Sequence, residues 1–199
     1  MAEEPGRRER KKQRTREALV AAAVELFEKR GYERTTIAEI AAAADVSTRT
    51  FFLHFPTKED VLLANARVRV DLGLRVIGGR RPGEEPGDVL ARAAEEMIAD
   101  TWDTDLPSGL AALRAGLITS SPVAQARLLQ RLLSAQVELA EGLREAYPDE
   151  LDAVSAAALV GSVAGAVGAA ALTSLRQGDS PDQVRDAMRR GAGIAVHHH

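Results

Sequence analysis

Apolar residues in this chain recur at steps of three and four, and nowhere do they alternate with polar ones over a strand's length, so the pattern predicts helices throughout. Leu19, Ala23, Leu26 and Phe27 form one stripe of a helix over about 13–30, which Gly31 ends. Ile37, Ile40, Ala41 and Ala44 make the inner face of a second helix, about 37–44. Thr36 is placed to cap it, with Glu39 three residues on completing a capping box. Asp45-Val46 breaks the period. Ser47 then caps a short helix over about 48–54, and Pro56 disfavours its continuation. Thr57, with Asp60 closing its box, opens a helix carrying Val61, Ala64, Val68 and Leu72 on one face. Residues 78–88, GGRRPGEEPGD, read as a loop. Helical stretches follow over about 88–103, 107–118, 122–146, 149–177 and 181–193. The fold class is all-α: a three-helix head over 1–56 with helix-turn-helix grammar, a helical body over 57–196, and a tag remnant at 197–199.

The segment 36–58, TIAEIAAAADVSTRTFFLHFPTK, carries the chemistry. A short helix with Ser47, Thr48, Arg49 and Thr50 on its first turn suits the major groove. Hydroxyls and a guanidinium reach base edges there without bulk in the way. Arg49 is the candidate for a bidentate base contact, most naturally to guanine. Ser47 serves as cap, as contact, or as both. His54 is the single histidine outside the tag and has no neighbouring partner for metal binding or base catalysis. It reads as a phosphate contact or as hydrogen-bonded packing. The net charge of −3 hides an asymmetry. Arg7 to Arg16 holds seven cations and one Glu, whereas residues 61–199 hold 14 cations and 18 anions. A basic arm directly ahead of a helix-turn-helix points to phosphate attraction, against the plainer reading of a solubilising tail.

With Thr36, Ile37, Ile40, Ala41, Ala44, Val46, Ser47, Thr50, Phe51, His54, Phe55, Thr57 and Lys58 in their places, the segment resembles the DNA-binding domain of the TetR family of bacterial transcriptional regulators. The motif covers about a quarter of the chain. The resemblance implies a double-stranded DNA operator as partner. It also implies phosphate contacts at Thr36 and Lys58, which otherwise read as a plain cap and a solvated amine. Phe52 stands where the family pattern usually has Tyr, so a phosphate-contacting hydroxyl is missing. The resemblance further implies an effector pocket in the body, for which Met97, Trp102, Leu106, Leu110, Leu113 and Leu117 are candidates; taken singly, each reads more simply as ordinary core. The few charges among them point to a mostly apolar small molecule. On this reading the protein is a cytoplasmic, homodimeric, ligand-responsive repressor, and the ligand acts by tilting the helix that follows the head.

Residues 153–175 pass without a charge, long enough to span a bilayer. Seven are Leu or Val, nine are Ala and three are Gly, a composition weak for insertion. The stretch reads instead as a dimer helix, with Leu159, Gly161, Gly165, Gly168 and Leu172 toward a second copy. The absence of cysteine excludes disulfides and thiolate chemistry. No phosphate loop, ligand spacing or nucleophile elbow is present, so no catalytic residue, metal or cofactor is assigned. Two alternatives stay open: an architectural DNA binder whose body only dimerises, and a small-molecule-binding protein or enzyme with a vestigial head.

Overall fold

The computed structural model describes residues 6–197, and no strand occurs among them. Ten α-helices follow one another: α1 (Arg7–Arg30), α2 (Ile37–Ala43), α3 (Thr48–His54), α4 (Glu59–Leu62), α5 (Ala66–Gly78), α6 (Pro86–Asp100), α7 (Leu110–Ser120), α8 (Pro122–Ala146), α9 (Ala153–Gln177) and α10 (Pro181–His197). The last two tag histidines lie outside the described residues. The chain forms two compact units. One holds the chain up to Ala64 together with Asp105–Arg127; the other holds Asn65–Thr104 and the chain from Leu128.

The first unit is built on Leu19, Ala23 and Phe27 of α1, Ile40 and Ala41 of α2, and Phe51 and Phe55 around α3, all buried. The Phe51 and Phe55 rings meet at 5.8 Å, within the range of favourable aromatic pairs. Helix α1 begins at Arg7, a turn and a half earlier than its apolar stripe predicts, so the basic arm is helical. Arg16 does not belong with the solvated cations of that arm. It donates to the carbonyls of His54 and Ala64 at 3.0 and 2.6 Å and stacks on Phe55. Asp60 closes its box with Thr57 and receives both arms of the Arg127 guanidinium.

The expected single helix from Thr57 through Leu72 is broken by a turn at Leu63–Asn65. Val61 and Ala64 pack into the first unit, while Val68 is exposed and the inner face of α5 is Arg69, Val70, Gly73, Val76 and Ile77. A second departure concerns α7. Leu110 is buried in the core of the first unit, and Leu113 and Leu117 pack against that core. Arg114 holds the helix there, pairing with the buried Asp105 and donating to the Leu62 carbonyl.

The second unit has its own core from Val76, Ile77, Val89, Leu90, Ala93, Leu143, Tyr147, Val160 and Val163. Helices α9 and α10 approach closely at Gly191, where a Cβ would stand 2.7 Å from the Ala166 carbonyl oxygen. Helix α6 does not stop at Asp100 but widens into one π turn, Thr101–Asp105. Thr101 and Thr104 donate to the carbonyls four residues back, Met97 and Asp100, a side-chain arrangement that bends helices.

Candidate functional site

Helices α2 and α3 are joined by a turn whose geometry sets the aim of α3. Asp45 adopts φ 53, the single positive φ at a non-glycine position among the described residues. Its N–H donates to Ala42 O at 3.1 Å, and the N–H of Val46 donates to Ala41 O at 2.9 Å. These two bonds make a Schellman closure, in which a left-handed residue satisfies the last carbonyls of a helix. Val46 then packs against the core that holds Ile40 and Ala41. The sequence shows a break at Asp45-Val46; the left-handed conformation of Asp45 shows only in the backbone.

At the starts of α2 and α3 a side chain caps the helix as the spacing predicts. Thr36 and Glu39 form a complete capping box, and the Glu39 carboxyl sits below its ordinary pKa, first because the Thr36 backbone N–H donates to it. The Ser47 hydroxyl accepts from Thr50 N at 3.1 Å and lies 2.9 Å from the Thr50 hydroxyl. Ser47, Thr48 and Arg49 are exposed on the first turn of α3, with Phe51 beneath them in the core. Phe52 and Leu53 are exposed as well, at 54% and 75%. Leu53 is a candidate that residue pattern alone passes over. An apolar side chain open to this degree on such a helix can meet a thymine methyl.

Lys58 and His54 are held more tightly than exposed phosphate ligands. The Lys58 amine donates to Tyr32 O and Thr35 O at 2.8 and 3.0 Å and lies over the Tyr32 ring. That leaves one of its three N–H bonds for a phosphate. The Nδ1 of His54 is buried without a hydrogen-bond partner. Burial, and then the positive charges of Arg16 and Lys12, push its pKa below the usual histidine range. The imidazole is therefore neutral at pH 7, a dipolar rather than a cationic neighbour for DNA.

Residues 19–64 match the family pattern of bacterial regulatory proteins, tetR family. The head is thus a DNA-binding domain of the TetR family. The HTH-type transcriptional regulator TcmR of Streptomyces glaucescens is 36% identical over 130 residues, which are 64% of this chain. The chain spans 58% of that relative's length. Thermus thermophilus FadR, a TetR-family transcriptional repressor solved in complex with lauroyl-CoA, superposes with a TM-score of 0.59 at 26% identity, covering 91% of this chain and 93% of that one. The SmeT–triclosan complex superposes with a TM-score of 0.57 at 17% identity, over 92% and 88% of the two chains, a likeness of fold.

The second unit holds a cavity of about 250 Å³. Of the six expected pocket residues Met97 lines it. Trp102 does not, although its neighbour Thr101 does; the indole faces the Arg185 guanidinium, and its Nε1 is buried without a hydrogen-bond partner. Leu110, Leu113 and Leu117 pack with the core of the first unit, and Leu106 lines no part of this cavity. Their spacing marks an inward face but does not say which core that face meets. Arg69, Gln136, Leu139, Val163 and Met188, which line the cavity from α5, α8, α9 and α10, escape sequence reading because four separate segments must fold to bring them together.

On α9, a Cβ added at Gly161, Gly165 or Gly168 would meet nothing within 4 Å. Leu159 packs partly against the second unit's core, and Gly168 also borders the cavity. The helix is long and apolar enough to cross a membrane, yet only 17% of its most apolar stretch is buried among the described residues. Leu129, Leu133 and Val137 of α8 are likewise exposed.

Proposed function

We propose that this TetR-family protein is a homodimeric, ligand-responsive transcriptional repressor working in the cytoplasm. Helix α3 reads the major groove of an operator, and a small, mostly apolar molecule in the body releases it. The observation that carries this reading is the open first turn of α3, with Ser47, Thr48 and Arg49 solvent-facing above a rigid Phe51–Phe55 core. A guanidinium on a helix so placed can make the bidentate contact to guanine that distinguishes base pairs in the major groove. Thr36, Thr50, Phe52, His54 and Lys58 flank it as backbone-positioning residues. The cavity favours a ligand-responsive body over a purely architectural one, and the repressor FadR, solved with lauroyl-CoA, is in line with that.

The exposed apolar faces of α8 and α9, with Leu159, Gly161, Gly165, Gly168 and Leu172 on the latter, are taken to meet a second copy. Two heads then address half-sites roughly 34–36 Å apart, one turn of DNA. By linkage, a releasing ligand must bind the DNA-free form more tightly than the DNA-bound form. Nuclease protection of DNA beside the protein's own gene tests the reading. A protected near-palindrome is expected. Arg49→Ala should cost roughly 1–3 kcal/mol of operator affinity while sparing random DNA. Equal loss on both DNAs would assign Arg49 to phosphate, and no protection with wild-type protein would sink the regulator reading.

A further inference from the structure

The cavity of the second unit is walled by apolar side chains and by three polar ones, Arg69, Thr101 and Gln136. Two of the three are committed within the protein. Arg69, 8% exposed, is paired with Asp100 and has a further interaction beyond that pair. The one charge in the wall is therefore already answered. The Thr101 hydroxyl donates to the Met97 carbonyl at 3.0 Å. Gln136 of α8 differs. It is partly buried, and its amide makes no hydrogen bond among the described residues. Leu132 and Leu139, four residues before it and three after, line the cavity as well, so this face of α8 is turned toward it. A primary amide can donate to a ligand and accept from it.

We propose that the cavity takes a neutral amphiphile, an aliphatic body with one hydroxyl or carbonyl group, and that Gln136 reads that group. The body lies against Ile77, Leu90, Met97, Ile98, Leu139 and Val163. This deepens the ligand-responsive reading above and rests on it. Charge is what the wall rejects. A carboxylate or ammonium entering it loses water and meets no opposite charge that is not already paired. A hydroxyl sheds far less hydration, and the Gln136 amide replaces the bond it gave to water. Size follows from volume. A water claims about 30 Å³ and a methylene a similar space, so 250 Å³ admits a body on the order of eight carbons.

The test is titration calorimetry on the full chain without DNA, with 1-octanol, octanoate and octylammonium as probes. Octanol should bind about tenfold or more tightly than either ion. Gln136→Leu keeps the size of the side chain and removes the amide. It should weaken octanol about threefold to tenfold, the size of one neutral hydrogen bond. Gln136→Glu supplies the charge that the wall lacks and should raise octylammonium affinity relative to octanol. If Gln136→Leu does not fold by circular dichroism, the wild-type series and Gln136→Glu decide. The proposal is overturned by an ion that binds wild type as tightly as octanol does, or by no octanol binding at millimolar concentration. Octanol affinity unchanged in Gln136→Leu, or an unchanged octylammonium-to-octanol ratio in Gln136→Glu, overturns it too. Because no DNA enters, the result is separable from the regulator reading. Operator protection that persists while octanol fails removes only the neutral amphiphile.

Discussion

At the residue scale, two side chains carry conformational or ionic cost inside the head. Asp45 holds a left-handed backbone that glycine adopts freely and β-branched residues resist. Asp45→Gly should leave stability unchanged or raised by a few tenths of a kcal/mol, whereas Asp45→Val should lower it by about 1–2 kcal/mol. Urea unfolding of the two variants checks the ordering. His54 makes stability depend on pH. Its folded pKa lies below the ordinary 6.5, so the unfolded chain takes up a proton first as pH falls. Stability is unpenalised above pH 6.5 and drops as pH falls through the lowered folded value. His54→Gln should remove this slope; a stability difference between variant and wild type that stays constant from pH 7.5 to 5 would contradict it.

At the element scale, the first turns of α1 present Arg7, Arg8, Arg10, Lys11 and Lys12 as exposed cations on a helix rather than on a loose tail. Each cation that neutralises a phosphate releases counterions and adds about 0.9 to the slope of log affinity against log salt. Removing residues 1–12 should therefore weaken DNA binding at low salt and flatten that slope. An unchanged slope would return the segment to a solubilising role. Arg16, the seventh cation of the run, should behave differently. It is spent on the His54 and Ala64 carbonyls and the Phe55 ring, which ties the position of α3 to α1.

At the scale of the whole molecule, the question is what covers the apolar length of α9. A helix with 17% of its most apolar stretch buried among the described residues needs a second surface in water. Small residues at Gly161, Gly165 and Gly168 admit a close helix, since among the described residues nothing lies within 4 Å of a Cβ built there. On the proposed homodimer reading, Gly165→Leu should shift the protein from dimer to monomer at low micromolar concentration in sedimentation, while helix content by circular dichroism stays the same. A variant that remains dimeric places the interface elsewhere.

Local grammar determined the helices and their punctuation. The capping boxes at Thr36 and Thr57, the Ser47 cap and the inner stripe of Leu19, Ala23 and Phe27 are each written within a few neighbouring residues, so they are legible before folding. The exposed first turn of α3 is legible for the same reason: Phe51 points inward, and the helical period then turns Arg49, two residues earlier, to the opposite face. Only the tertiary structure decided which core an inward face meets. Leu110, Leu113 and Leu117 have the period of a buried stripe, and packing assigned them to the head because Arg114 pairs with Asp105 and reaches the Leu62 carbonyl. It also decided that Arg69 lines an apolar cavity and that Asp100 stands 3.5 Å from it. Periodicity records the direction of a side chain relative to its own helix. The partner it finds, and the dielectric around its charge, depend on segments tens of residues away.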